Sequence, residues 1–186
     1  MSSAPVAREA IAFELEASRL RLHELLAASG ALDLRRASQG TRWTNEELLF
    51  HMVFGFLVVR TLLPLVRLMG RLPTSVGRSF AAVLDSMRRP FHVVNYWGSR
   101  AGARVFDAGR MGGLCDRVVA ALRRSLEREP EENLRRGMPF PTSWDPYFTS
   151  FMTLADVYRY PNLHFEHHRR QLTLPGGDDD EEASER

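Results

Sequence analysis

Histidines are concentrated near the C-terminus, where half of the chain's six histidines fall within residues 163–168. His164 and His168 are four residues apart, so on a helix their side chains share one face. Two imidazoles at this spacing can bind a single metal ion. His164 and His167, three residues apart, also share a face, and spacing alone leaves both pairs open. Phe165 follows His164, which excludes the His-Glu-x-x-His motif of zinc proteases.

His51 is the candidate for a third ligand, because the segment around it is nearly all apolar. Phe54, Val58 and Leu62 extend the same helix face toward the core. A histidine on such a face must find a partner, since burying an unpaired polar group is unfavourable. That partner is either a hydrogen-bonding group or a metal ion, and helical bundles build metal sites from side chains on facing helices. Three protein ligands would leave a coordination position open for water or substrate, as in catalytic zinc sites.

Two long helices are predicted in the first third of the chain. Apolar residues at helical spacing predict the first over residues 5–29. The second helix, which carries His51, begins at a capping box of Thr44 and Glu47, whose side chains and backbones bind each other reciprocally. Its apolar pattern continues at least to Leu63, and Pro64 is expected to bend or end the helix.

The middle of the chain, residues 71–113, shows the weakest pattern. Two short helices are predicted over residues 75–87 and 92–106, and a longer one over residues 114–128. The glycines of this region indicate turns or a mobile connection; they are Gly98, Gly102, Gly109, Gly112 and Gly113. No strand precedes them and no Gly-Lys-Ser/Thr follows, which excludes a phosphate-binding loop.

The last helix is predicted over residues 153–173 and carries the histidine pair. Thr153 and Asp156 form its capping box, and Pro161 is expected to kink it. Because no segment alternates with period two over more than a few residues, the fold class is all-α: a four-helix bundle with extra short helices in the middle. We assign residues 1–174 to the bundle and residues 175–186 to a disordered acidic tail.

Composition excludes several classes of protein. All 25 basic residues are arginines, and they are scattered, without the basic strip or zinc-finger spacing typical of nucleic-acid binding. Cys115 is the single cysteine, which excludes an internal disulfide and a Cys-rich zinc site and fits a reducing compartment. The most apolar window, residues 48–59, is shorter than the roughly 20 residues of a membrane span. With no signal-peptide pattern, we expect a cytoplasmic protein without nucleic-acid or membrane partners.

Two segments resemble the DinB-like superfamily. The first is WTNEELLFH, residues 43–51, in which a Trp-Thr pair opens the second helix and a histidine follows about two turns later. The second is HFEHHRRQ, residues 164–171, a pair of histidines four residues apart followed by glutamine. The resemblance implies a four-helix bundle that binds a divalent metal, often zinc or nickel, through His51, His164 and His168. The resemblance also implies that His167 does not bind the metal.

The same resemblance implies what the protein does. Several members of that superfamily transfer small bacterial thiols such as mycothiol or bacillithiol, and others are described as metal-dependent hydrolases. We therefore expect a metal-dependent thiol S-transferase with a small-molecule substrate and a low-molecular-weight thiol as cosubstrate. A homodimer is expected because dimers are common among bundles of this type. The superfamily name refers to damage-inducible expression and implies no DNA binding.

Three alternatives stay open at this point. A hydrolase would need a general base, for which the sequence offers Glu47 and Asp156, both better explained as capping residues. A non-catalytic bundle would use the metal only as a staple or a sensor. A metal-free interaction module would expose Phe140 and Trp144, in the loop over residues 138–146, which we otherwise expect to cover the end of the bundle.

Further side chains near the histidines have expected roles. Gln171, one turn after His168, is expected to orient a ligand or a water molecule. Tyr158, Arg159 and Asn162 are expected at the mouth of the pocket. The single cysteine is expected to fill the core rather than to act as a nucleophile.

Overall fold

Four long helices form the body of the protein, and shorter elements connect them. The computed structural model describes residues 4–175, with side chains from residue 8 onward. Its elements are α1 (Ala4–Ala28), α2 (Ala31–Arg35), α3 (Asn45–Met69), α4 (Thr74–Ser86), α5 (Arg88–Val105), α6 (Ala108–Glu127), α7 (Glu131–Leu134), β1 (Gly137–Pro139), β2 (Phe151–Thr153) and α8 (Leu154–Arg169). Nearly all of the predicted acidic tail lies outside the described residues, so the tail and the domain limits stay predictions.

Helices α1, α3, α6 and α8 pack as a closed bundle. Helix α3 packs against α6 and α8, and α1 packs against the same two helices. Their inner faces form one apolar core, whose fully buried side chains include Ile11, Leu15, Phe56, Leu122 and Phe165. Removing this surface from water is the main favourable contribution to folding. The prediction of an all-α four-helix bundle is confirmed.

Helix α3 begins at the predicted capping box. The amide of Glu47 donates to Thr44 Oγ1 over 3.3 Å, and the amide of Thr44 donates to the Glu47 carboxylate over 3.2 Å. The helix does not end at Pro64 but runs through it to Met69, because the turn beyond the proline buries Val66 in the core. By length and composition α3 is apolar enough to cross a membrane, and burial of one face in the bundle accounts for that composition.

The middle of the chain is more regular than its glycines predicted. The two short helices are present as α4 and α5, but all five glycines lie inside α5 or α6, and α6 begins at Ala108 rather than at residue 114. A Cβ atom at Gly102 would collide with the ring of Phe50, and one at Gly112 would lie 2.8 Å from the ring of His23. These two glycines therefore permit close approach of α5 to α3 and of α6 to α1.

A two-stranded antiparallel sheet forms where no strand was predicted. Strands β1 and β2 pair with Gly137 opposite Thr153 and Met138 opposite Met152. Strands of three residues are too short to show a period-two pattern. Thr153 also caps the first turn of α8, where the amide of Asp156 donates to its hydroxyl over 3.2 Å. The sheet thus fixes the starting point of the helix that carries two histidines.

The chain returns to the start of α3 after α8. Helix α8 continues through Pro161 and ends at Arg169, earlier than the predicted end at residue 173. The amide of Thr173 donates to Asn45 Oδ1 over 3.1 Å, and Asn45 Nδ2 donates to Thr173 Oγ1 over 3.0 Å. This exchange anchors the C-terminal end of α8 beside the N-terminal end of α3.

Candidate metal centre

Three histidines come together between α3 and α8. His51 lies in the second turn of α3, and His164 and His168 lie one turn apart on α8. One ring nitrogen of each residue lies within 4.8 Å of those of the other two. His51 and His164 are buried, with 3% and 6% of their surface exposed, and His168 is half-buried. The structure therefore brings together the three residues that the sequence singled out.

Ser99 of α5 holds the ring of His51. His51 Nδ1 lies 3.1 Å from Ser99 Oγ, and that hydroxyl donates its own proton to the carbonyl oxygen of Asn95 over 2.8 Å. Because the hydroxyl proton is already used, Ser99 Oγ accepts from the Nδ1–H of His51. This tautomer leaves a free lone pair on Nε2 of His51.

Asp145, in the loop between β1 and β2, holds the ring of His164. Its Oδ2 lies 3.3 Å from His164 Nδ1 and accepts from the hydroxyl of Tyr160 over 2.8 Å, while the amide of Tyr147 donates to its Oδ1 over 2.9 Å. Burial raises the pKa of Asp145, but the hydrogen bonds from His164 and the Tyr147 amide outweigh burial and bring that pKa below its usual value. The ionised carboxylate therefore accepts the Nδ1 proton of His164.

Gln171 holds the third ring. His168 Nδ1 lies 2.6 Å from Gln171 Oε1, and an amide oxygen only accepts, so the Nδ1–H of His168 donates to it. The structure places Gln171 where the sequence expected it. All three imidazoles thus present Nε2 to the space between them, and Nε2 of His164 is buried without a hydrogen-bond partner among the described residues. Oxygen acceptors on the second ring nitrogen are what orients metal-binding histidines in proteins.

Burial keeps the imidazoles of His51 and His168 neutral. Desolvation lowers the pKa of His51 well below its usual value, and the neighbouring His164 and His168 lower it further. Desolvation, followed by repulsion from His164, lowers the pKa of His168 to about 4. Both rings are neutral at pH 7, which is the form of histidine that binds a metal.

Two further residues shape the space around the rings. A Cβ atom at Gly55, one turn after His51 on α3, would lie 2.9 Å from Cδ2 of His164, so glycine is what leaves room for that ring. Trp43 stacks on His51 with ring centroids 4.4 Å apart. The rings of the site therefore have neighbours on several sides that limit their movement.

Three residues of the site were not predicted from the sequence, namely Gly55, Ser99 and Asp145. A glycine inside an otherwise apolar helix, one turn from a histidine, was a visible signal, because glycine in a helix interior usually has a packing or functional reason. Ser99 and Asp145 had no such signal. Each is far from the histidines in sequence, and only the packing of α5 and of the loop before α8 brings them close.

Comparison with known families agrees with this geometry. Residues 14–172, a stretch that contains all three histidines, match the family model of the DinB superfamily. The chain belongs to the DinB superfamily. No curated protein and no solved structure shows a significant match. The resemblance seen in the two sequence segments is therefore confirmed at the level of the superfamily.

The other histidines of this DinB-superfamily chain lie outside the cluster. His167 points its Nδ1 at the hydroxyl of Tyr147, 3.3 Å away. His23 is 2.8 Å from the carboxylate of Asp116 on the far side of the bundle, and His92 is exposed on α5. None of these three joins the group of ring nitrogens described above.

The prediction that three residues of α8 lie at the mouth of the pocket is wrong. Tyr158, Arg159 and Asn162 lie on the sides of α8 that meet α6 and α1. The hydroxyl of Tyr158 donates to Ser125 of α6 over 2.9 Å, and Asn162 accepts from Ser18 of α1 over 3.0 Å. Their positions relative to His164 on the helix direct them to the other face, and they hold the bundle together instead.

The other candidate groups have structural roles. Glu47 caps α3 and forms an ion pair with Arg100 over 3.0 Å, and Asp156 caps α8. Cys115 is fully buried, and burial, with a smaller contribution from Asp116, raises its pKa to about 12. The cysteine is therefore a protonated core residue at neutral pH and not a nucleophile.

A cavity of 320 Å³ opens beside the three histidines. Phe54, Val58 and Leu62 of α3, which were expected to face the core, form one wall. Phe140 and Trp144 form part of the opposite wall, where Trp144 Nε1 donates to the carbonyl of Leu84 over 2.9 Å. The aromatic loop therefore covers the cavity and is not a free contact surface.

Proposed function

We propose that His51, His164 and His168 bind one divalent metal ion, zinc or nickel, through their Nε2 atoms. The observation that carries this proposal is the hydrogen bonding of the rings: each Nδ1 is held by an oxygen acceptor, and the buried Nε2 of His164 has no partner among the described residues. Three imidazoles are a donor set that suits zinc and nickel. Three ligands also leave room for a substrate atom.

The activity we propose is transfer of a small bacterial thiol, of the mycothiol or bacillithiol type, to a small electrophile. Superfamily membership and the open side of the histidine cluster, which faces a cavity, support this activity. A bound divalent metal would supply Lewis acidity that holds a thiol as thiolate at neutral pH. The chain's own residues keep the imidazoles oriented, and the aromatic walls limit access of water to the reacting atoms.

Hydrolysis is less well supported by the same geometry. Within residues 8–175, Asp145 is the carboxylate that lines the cavity, and its oxygens are already engaged by His164, Tyr160 and the amide of Tyr147. Glu47 and Asp156 serve as caps. A hydrolase would need a general base free to accept a proton from water; none of these carboxylates is free for that role, which leaves His92, at the edge of the cavity, as the remaining candidate.

Metal content of the purified, untagged protein tests the first step. Elemental analysis should find about one zinc or nickel ion per chain, and His164→Ala/His168→Ala should lose it. His167→Ala is the matched control, because it lies on the same helix turn but outside the cluster, and it should keep the metal. Absence of metal in the wild type, even after reconstitution with zinc and with nickel, would rule out the site.

An activity assay tests the second step. Metal-loaded protein should accelerate the thiol-dependent loss of 1-chloro-2,4-dinitrobenzene, in which a carbon–sulfur bond forms and chloride leaves. A chelator should abolish the acceleration, and added zinc or nickel should restore it. Metal binding without thiol-dependent turnover of any electrophile would leave a non-catalytic metal-binding bundle.

A further inference from the structure

The cavity beside the histidines is lined mainly by apolar side chains. We infer that it binds an elongated hydrophobic small molecule, uncharged along its body, with one end at the histidine cluster. This inference deepens the proposed function and rests on it for the end that meets the metal. The body of the ligand is recognised by the cavity alone.

The cavity is long in the direction of α3. Residues of this helix line it from His51 to Leu65, a separation of fourteen residues, or about 21 Å of helix at 1.5 Å per residue. Its volume is 320 Å³. An engineered cavity of roughly 150 Å³ holds benzene, so this one has room for about a dozen carbon-sized atoms. Such a volume spread along the helix fits a chain or an aryl-alkyl group better than a broad ring system.

The walls are almost entirely apolar. Val58 and Leu62 of α3, Phe80 of α4, and Phe140 and Trp144 of the loop are typical of the lining. None of the 25 basic residues of the chain, all of them arginines, is among the lining residues, which lie within the described part of the chain. A carboxylate, phosphate or sulfonate along the ligand body would therefore lose its hydration without gaining an arginine as counter-charge.

Some of the polar groups that reach the cavity are already hydrogen-bonded, and the others, apart from the three clustered histidines, are few: His92, Asn95 and the indole nitrogen of Trp43, which is buried without a partner among the described residues. Asp145 accepts from His164 and Tyr160, and the indole nitrogen of Trp144 donates to the carbonyl of Leu84. A sugar-like body would bury more hydroxyls than these few groups can bind, at a cost of about 1–3 kcal/mol for each hydroxyl left without a partner. The cavity therefore selects the hydrophobic reactant, and the thiol of the proposed reaction must approach from outside this channel.

A homologous series of ligands measures this selectivity directly. The dissociation constants of n-alkyl hydroxamates with four to twelve carbons are measured by calorimetry on the zinc-loaded, full-length protein. Each added methylene should lower Kd by about fourfold until the cavity is full. Hydroxamates with oligo(ethylene glycol) chains of the same lengths should show no such gain. A Kd independent of alkyl length, or an equal gain for the glycol series, would overturn the inference.

A cavity-filling variant ties the effect to this cavity. Val58→Phe places a ring among the lining residues and should abolish the gain beyond short chains, while the metal content stays that of the wild type. Val93→Phe is the matched control, because Val93 lies on α5 with 58% of its surface exposed and does not line the cavity. An undiminished length dependence in Val58→Phe would place the hydrophobic site elsewhere and reject the assignment.

Failure of the metal proposal can be recognised separately. The n-alkanols of the same lengths lack a chelating group, and they are titrated into wild type and into His164→Ala/His168→Ala. If no metal binds, hydroxamates and alkanols of equal length should bind alike, yet both should still gain affinity with length. The difference between the two series therefore reports the metal, and the slope of each series reports the cavity.

Discussion

At the scale of single residues, the site depends on what holds the second nitrogen of each imidazole. The three acceptors come from different parts of the chain: Ser99 from α5, Asp145 from the loop before α8, and Gln171 from the turn after α8. Each removes the freedom of a ring to flip or change tautomer. The donor set is therefore preorganised in the protein itself.

Gln171 gives the cleanest test at this scale, because it contacts His168 by one hydrogen bond of 2.6 Å. Gln171→Leu keeps the approximate size but removes the acceptor, and we expect metal affinity to fall by about 10–100-fold. Competition with a chromophoric chelator measures that affinity. Gln171→Glu retains an oxygen acceptor and should remain close to wild type. Equal affinities for the leucine variant and the wild type would mean that the turn after α8 does not orient the ring.

At the scale of elements, the site requires α3 and α8 to approach closely. The glycine at position 55 makes this approach feasible, because a Cβ atom there would lie 2.9 Å from the ring of His164. At the start of α8, the β1–β2 sheet ends at Thr153, the N-cap of that helix. At its end, Thr173 binds Asn45 at the start of α3. The positions of His164 and His168 are thus set by contacts at both ends of α8.

Alanine substitutions at two helical glycines separate this spacing effect from helix propensity. Gly55→Ala must displace the ring of His164, so we expect at least a tenfold loss of metal affinity and about 1–3 kcal/mol of destabilisation. At Gly98 of α5 a Cβ atom meets nothing within 4 Å, so Gly98→Ala should stabilise the protein by about 0.5–1 kcal/mol. Metal titration and urea unfolding of the metal-free protein measure both effects. Unchanged metal affinity in Gly55→Ala would show that α8 can adjust without loss.

Structural features caused by neighbouring residues could be predicted from the sequence, and features caused by contacts between distant segments could not. The capping boxes at Thr44 and Thr153 involve residues three apart, and both were predicted at the correct positions. The glycines of α5 and α6 were misread as turns, because the reason for Gly102 is the ring of Phe50 on another helix. The loop position of Asp145 is set by tertiary packing in the same way. Local hydrogen bonds and helical segments could therefore be predicted from the sequence, and contacts between distant segments could not.

At the scale of the whole molecule, a second polar centre lies far along the bundle from the histidines. Arg67 of α3 donates to the buried carboxylate of Glu129 over 2.8 Å, and also to Ser125 of α6 and Tyr158 of α8. Arg8 of α1 donates to main-chain carbonyls of the same region, including that of Glu129 over 2.6 Å. All four bundle helices meet in this network. The sixteen residues between His51 and Arg67 correspond to about 24 Å of helix.

Breaking this network should lower stability without changing the histidine cluster. Arg67→Met leaves Glu129, whose side chain is 3% exposed, without its cationic partner, and we expect a loss of about 3–5 kcal/mol in urea unfolding. Arg67→Met/Glu129→Leu should recover much of that loss, because it removes both charges.

Because the two centres are far apart, stabilisation by zinc should be independent of the Arg67 network. Zinc at a free concentration of 100 times its Kd should add about 2.7 kcal/mol to the unfolding free energy of the wild type. Because effects of well-separated sites usually add, the same increment is expected in Arg67→Met. A smaller increment in the variant would mean that the ion-pair network at one end of the bundle holds α3 and α8 in register at the other. The histidine cluster would then depend on the whole bundle and not on its immediate neighbours alone.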